Sequence, residues 1–222
     1  MPFEHQKALE MRRSTPVQTI VGGVGMIPFS KPGASESYDV MGARATRLAL
    51  DDAGLTYDDV EAAFVGYVYG DSTSGQRALY RVGMSGVPIV NVNNNCSTGS
   101  TALFLARNMI SSGAADCVLA LGFEQMAPGA LGTIFNDRPS PFVDFEREAD
   151  ELVGANEIPF ALRYFGGAGK SHMDKFGTTL EDFAKIRAKA SRHATKNPYA
   201  IFRTEISMED VMNAPVMWPG VM

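Results

Sequence analysis

Along the first half of the chain the apolar positions switch between a period of two and a period near 3.6. Residues 19–25 (TIVGGVG) are β-branched and glycine-rich, and read as a buried strand. Ser37 stands where it would cap a helix over 39–53, with Met41, Ala45, Leu48 and Ala49 on one face and Gly54 as the stop. Thr56 and Asp59 open a further turn. Residues 62–69 (AAFVGYVY) make a second strand, 76–83 a short helix, and 89–92 a third strand that three asparagines cut off. Over 97–112 the positions Ala102, Leu105, Ala106, Met109 and Ile110 fall on one helical face, which Gly113 ends. Residues 117–122 (CVLALG) are a fourth strand, apolar throughout. This βαβαβαβ order predicts an α/β fold with a largely parallel sheet covered on both faces.

The pattern changes after Met126. Residues 128–148 mix Gly, Pro, Asp and Arg without a clear period and read as a long excursion. Two helices are predicted next, one from Pro159 to about Phe176 and one from a Thr178 or Thr179 cap to about Thr195. In the second, Phe183, Ile186 and Ala190 form the apolar face, and Lys185, Lys189, Arg192 and Lys196 repeat on another. Asn197-Pro198 ends it, because proline lacks a donor and disfavours helix just before itself. The division implied is a core over 1–126, an inserted domain over 127–205 and a return segment over 206–222.

Composition narrows the classes. At 222 residues the chain is long enough for a sizeable core, and 45% hydrophobic with 20% charged residues is ordinary for a globular protein. A net charge of −5 argues against nucleic acid as the main partner. No apolar run reaches the roughly 20 residues that span a bilayer. The start, MPFEHQKALEMRRS, has no apolar signal-peptide core, so a reducing, cytosol-like compartment is expected. Two cysteines make no disulfide framework and read as free thiols. No metal site is read from the residues.

One of those thiols sits in a setting that carries chemistry. Cys96, in Asn93-Asn94-Asn95-Cys96-Ser97-Thr98-Gly99, lies where a strand gives way to a helix, the place at which parallel sheets present catalytic groups. A helix N-terminus has unpaired N–H groups and partial positive charge, both of which favour thiolate. The small residues Ser97 to Ser100 leave the sulfur open, and the Cys96 and Ser97 N–H groups are placed to steady an oxyanion. A buried structural cysteine is the competing reading, and pattern alone leaves both open. Three consecutive polar side chains at a strand end weigh toward a site.

The stretch PIVNVNNNCSTGSTALFLARNMISSGAADCVLALGFEQM (88–126) resembles the nucleophile strand–helix–strand of thiolases, in particular those of the sterol-carrier and lipid-transfer group. AGKSHMDKFGTT (168–179) with Asn197-Pro198-Tyr199 and Phe202 is similar to that group's loop domain, and GVGMIPFSKPG (23–33) and GYVYGD (66–71) fit as well. The resemblance covers nearly the whole chain. It implies a layered α/β/α thiolase fold, a mostly parallel five-stranded sheet lacking its last strand, and an inserted loop domain. It implies a 3-ketoacyl-CoA thiolase activity in which Cys96 is acylated, with coenzyme A as co-substrate and no covalently bound cofactor.

Only the first of the two like halves of such thiolases is matched. The resemblance assigns the activating histidine and a second, proton-shuttling cysteine to the C-terminal half, supplied by the rest of the chain or by a second polypeptide. His5 lies near the chain start, His193 on the basic helix face, and Cys117 in an apolar strand, so none replaces them. His172 and Met173 match the loop domain and imply CoA contact, which Lys185, Arg187, Lys189 and Arg192 extend toward the phosphates. A solvated helix face is the bland reading of that stripe. The resemblance further implies a homodimer or homotetramer, with Asn93, Asn94 and Asn95 near a two-fold axis and Arg77 and Tyr80 reaching toward the partner. Two other functions stay open: a CoA-thioester aldolase of the lipid-transfer group, and a non-catalytic acyl-CoA or lipid-binding subunit.

Overall fold

The computed structural model describes residues 18–128, 135–154 and 160–217, the side chains of Val153 and Phe160 excepted. The chain divides into two compact units, 1–130 and 131–222. In the first unit, helix α1 (Tyr38–Ala53) precedes a single 3-10 turn (Tyr57–Asp59) and strand β1 (Ala62–Gly66). Helix α2 (Ser74–Leu79), strand β2 (Ile89–Val92), helix α3 (Thr98–Ser111) and strand β3 (Val118–Gly122) follow. The predicted alternation is therefore present from residue 38 onward. Gly54, at φ 66°, ends α1 as expected, a conformation a Cβ would resist.

Three strands form the sheet, in the order β2-β1-β3, and both pairings are parallel. Ala63 stands opposite Ile89 on one side of β1 and opposite Leu119 on the other. Because β1 is central it is buried almost throughout, whereas β2 and β3 alternate between covered and open positions. Leu50, Tyr57, Val60, Ala63, Val65, Leu79 and Leu121 make the core that these strands share with α1 and α2.

The structure corrects several expectations here. Residues 19–25 are not a strand: among the described residues the sheet has three strands, one fewer than the four segments that read as strands. The segment instead lies on α1, where a Cβ on Gly23 or Gly25 would fall on the backbone at Ala49 and Ala45. The two glycines that looked like strand residues are what permits this approach, and Val24 N–H donates to the Asp52 carboxylate at 2.8 Å. β1 ends at Gly66 rather than Tyr69, because the next free amides, Val68 and Tyr69, turn to the Glu124 carboxylate (2.8 and 3.1 Å). Ser37 occupies the N-cap of α1, but its hydroxyl donates to Asp39 Oδ1 at 2.6 Å instead of capping. The buried face of α1 is Met41, Gly42, Ala43, Thr46 and Leu50, with Leu48 exposed, since the helix packs on α2 as well as on the sheet.

The second unit is helical: α4 (Val143–Val153), α5 (Phe160–Phe176), α6 (Leu180–Thr195) and α7 (Met208–Met212). Helix α4 occupies part of the stretch that read as irregular. Its charged run hid it, yet those charges hold it, through Asp144 to Arg147 at 2.8 Å and through an ion pair of Asp150 with the buried Arg163 of α5. Thr179 caps α6 as predicted, in a reciprocal box with Asp182. The buried face of α6 is Ala184, Ala188 and Ser191, not Phe183, Ile186 and Ala190, which are exposed. Small residues let α7 pack close, and Ser191 accepts from Ile206 N–H at 3.0 Å. No described helix is long and apolar enough to cross a membrane.

Candidate functional site

The junction between β2 and α3 is built from its polar side chains. Asn91, still in β2, accepts from Gly75 N–H (2.8 Å) and donates to Gln76 (2.6 Å), which ties the strand to α2. Asn93 donates to Val68 O and accepts from Asn95 N–H, a tight local turn. Asn94 donates its amide N–H to Thr98 Oγ1 (2.8 Å) and its side chain to Thr101 (3.0 Å). Asn95 takes φ +47°, a left-handed conformation that asparagine tolerates better than most residues. The chain thus reverses sharply one residue before Cys96, and the thiol emerges exposed at the start of α3.

Helix α3 is held against β1 by a close approach. A Cβ on Gly66 would meet Thr98 Cγ2 at 2.7 Å and Thr98 O at 3.1 Å, so glycine sets the height at which α3 begins. Thr98 is buried, and its hydroxyl donates to Asn95 O while accepting from Asn94. Ser97 is the N-cap, but its hydroxyl donates back to Asn94 O (2.8 Å) and caps no amide. The first-turn amides of α3 are therefore not covered by that side chain, and nothing stands within 4 Å of where a Gly99 Cβ would be. The Ser97 N–H, expected to steady an oxyanion, instead donates to Asn94 O at 3.2 Å, and the Thr98 N–H donates to Asn95 O at 3.1 Å, because the tight turn uses them internally. An exposed thiol beside open space at Gly99 is an arrangement suited to taking up an electrophilic carbonyl.

Tyr69 and Glu124 were not picked out as site residues from sequence, although both fall in quoted stretches. Burial raises the Tyr69 phenol above its ordinary range, and the Glu124 carboxylate and Cys96 add to that rise. Tyr69, Glu124, Asp71 and Ser74 line a polar pocket of about 270 Å3 with Tyr38, Tyr67 and Phe123. Phe123 stacks between Tyr38 and Tyr67, at 5.4 and 5.7 Å between centroids.

Cys117 contrasts with Cys96. It is half-buried against the core, and burial, then Asp59 and Glu61, push its thiol up. Arg77 points to the buried Asp39 of α1 at 3.0 Å. In the second unit His172 is exposed, with Nδ1 2.9 Å from Thr178 Oγ1 and its ring 4.7 Å from Phe176, and Met173 is half-buried. Lys185 pairs with Asp182 at 3.4 Å, while Lys189 and Arg192 are exposed. Arg187 lines an apolar pocket of about 570 Å3 with Leu162, Phe165 and Phe183. Cys96, Ser97, Asn93, Asn94 and Asn95 thus stand together in one unit; His172, Met173 and the basic residues belong to the other. His5 and Trp218 to Met222 lie outside the described residues, which hold no cluster of three or more metal-ligating side chains.

Residues 19–215 match the family model described as the thiolase N-terminal domain. Sterol carrier protein 2 of Bos taurus is 50% identical over 199 residues, which is 89% of this chain and 37% of that protein. The benzoylsuccinyl-CoA thiolase subunit BbsB of Thauera aromatica is 34% identical over 200 residues, covering 89% of this chain and 49% of its own. The chain thus spans half or less of the length of these relatives. Among solved structures the Ltp2-ChsH2(DUF35) aldolase superposes with a TM-score of 0.69 at 19% identity, over 90% of this chain and 50% of the other, a likeness of fold.

Proposed function

The chain belongs to the thiolase superfamily as a thiolase N-terminal domain, and from that premise we propose that it carries the nucleophile of a 3-ketoacyl-CoA thiolase of the sterol-carrier type. The observation that carries the reading is the exposed Cys96 set by the left-handed Asn95 at the start of α3. As thiolate, Cys96 Sγ attacks the 3-keto carbon of a CoA thioester. The carbonyl electrons move onto oxygen, where the Cys96 N–H stabilises them. On collapse the bond between C2 and C3 breaks, its electrons pass to C2 of the departing acetyl-CoA, and a proton is added there. Coenzyme A thiol then takes the acyl group from Cys96 and restores the thiol. The base for Cys96 and the proton donor for acetyl-CoA are assigned to a C-terminal thiolase half, on a longer chain or on a second polypeptide.

CoA contact on the second unit is proposed at the exposed His172, Lys185, Arg187, Lys189 and Arg192 with the half-buried Met173. Dimerisation through the outer edge of β2 is part of the same reading, supported by the edge position of that strand. Incubation with acetoacetyl-CoA together with the C-terminal half, followed by intact-mass measurement, tests the proposal. The expected result is one acetyl adduct, lost in Cys96→Ala. Absence of an adduct, or full turnover by Cys96→Ser, overturns it, the second outcome pointing to carbon–carbon lyase chemistry.

A further inference from the structure

Away from Cys96, three arginines converge where α1 meets α2. Asp39 is buried, its side chain 6% exposed, and its Oδ2 accepts from Arg77 Nε at 3.0 Å and Arg81 Nε at 2.7 Å. Asp39 Oδ1 is occupied by the Ser37 hydroxyl and the Val40 N–H. The Ser37 hydrogen bond, followed by those from Arg81 and Arg77, holds this carboxyl well below the usual carboxylate range despite its burial. Arg47 completes the group by donating to Arg81 O.

Two features of this cluster are unusual for a purely structural ion pair. Both arginines bind one carboxylate oxygen through Nε. Nε is the inner nitrogen, and the outer Nη forks of Arg77 and Arg81, on side chains 61% and 43% exposed, meet no acceptor among the described residues. The charges do not balance either. Asp39 is the one acid paired with Arg77 and Arg81 among the described residues, and Arg47, on the Arg81 carbonyl, adds a third positive charge to this corner. Two positive charges remain, which a phosphate dianion neutralises and a single carboxylate does not. Arginine, rather than lysine, is the residue whose fork matches a tetrahedral oxyanion bidentately.

We propose that the Nη groups of Arg77 and Arg81, pre-oriented by the buried Asp39, bind a phosphate-type dianion, either free inorganic phosphate or the phosphomonoester of a larger ligand. The site is independent of acyl transfer, since none of its side chains contacts Cys96 in the structure.

Isothermal titration of the intact chain with inorganic phosphate is the direct test. Saturable binding tighter than about 10 mM is expected. Arg77→Lys and Arg81→Lys keep a cation for Asp39 but lose the outer fork, and each is expected to weaken binding at least about tenfold. Cys96→Ala is expected to bind phosphate unchanged, which separates this proposal from the acyl-transfer reading. Titration with phenyl phosphate against inorganic phosphate, in wild type and in both lysine variants, distinguishes the sources without engaging a CoA site. Binding of phenyl phosphate that both lysine variants weaken assigns a phosphomonoester, and inorganic phosphate bound without phenyl phosphate assigns the free ion. No saturable phosphate binding, or equal binding by wild type and both lysine variants, overturns the proposal. So does a change of sedimentation mass in Arg77→Glu or Arg81→Glu in a chain that binds no phosphate, which would mark a protein contact instead.

Discussion

The ends of two parallel strands each carry a cysteine, and they are built for opposite purposes. At the C-terminal end of β2, polar side chains are spent on shaping a turn, Asn95 is left-handed, and Cys96 stands exposed beside the open start of α3. At the N-terminal end of β3, Cys117 is tucked against the core, and its amide and that of Asp116 are both taken by Glu61. Burial and two nearby carboxylates push the Cys117 thiol up, so it stays protonated where a nucleophile must not. Residue type therefore says little about reactivity. Which end of a parallel strand the residue occupies, and whether a helix begins there, says more.

The sharpest way to break this contrast is to label both thiols. An acyl-CoA thioester with the assembled enzyme is expected to modify Cys96 alone, so that Cys96→Ala abolishes labelling and Cys117→Ala leaves it intact. Iodoacetamide at neutral pH is expected to show the same order, with Cys96 modified at least about tenfold faster. Peptide mapping after partial alkylation checks it, and equal rates would erase the distinction.

Next in size is the support beneath Cys96. Gly66→Ala places a Cβ 2.7 Å from Thr98 Cγ2 and against the α3 backbone, so either the helix or the strand must shift. A cost of about 1–3 kcal/mol is expected, together with slower acylation of Cys96. Urea denaturation measures the first and the mass assay the second. Loss of stability with undiminished acylation would mean that the height of α3 does not position the thiol.

Thr98→Val keeps the shape but removes a hydroxyl that joins Asn94 N–H to Asn95 O. Asn95 O keeps the Thr98 N–H, and because the residue is buried the orphaned Asn94 N–H is expected to cost about 1–2 kcal/mol. The matching change near Cys117, Glu61→Gln, retains an acceptor for the Asp116 and Cys117 amides and is expected to cost less.

Much of this was legible in the sequence. The strand–Asn–Cys–helix grammar around Cys96 and the order of elements from residue 38 to 122 follow from periodicity and end signals, because side chains there answer to local geometry. What failed had a tertiary cause. Ile20, Val21 and Val24 have the composition of a strand, yet they lie on α1 because Gly23 and Gly25 fit against its backbone. No local pattern distinguishes those two fates. Helix α4 was hidden by its charged run, one member of which, Asp150, pairs with Arg163 of another helix. The pairing of Arg77 and Arg81 on Asp39 spans some forty residues and has no local signature.

The smallest expected effect tests the quiet side of the comparison. Cys117 has a thiol pushed above its ordinary range, chiefly by burial and then by Asp59 and Glu61. A group whose folded form resists ionisation adds stability that is complete below the unfolded thiol value of about 8.5 and is lost as pH rises through the folded value. Stability should therefore fall on the alkaline side of about pH 8.5, and Cys117→Ala should remove that part of the fall while costing under about 1 kcal/mol at pH 7. Tyr57 and Tyr69, whose phenols burial also raises, add their own losses at higher pH, above about 10, so the two contributions separate along the pH axis. Denaturant midpoints measured from pH 7 to 10 would show it. An alkaline limb unchanged in Cys117→Ala would mean that Cys117 is no more sheltered than Cys96, and the contrast between the two strand ends would rest on Cys96 alone.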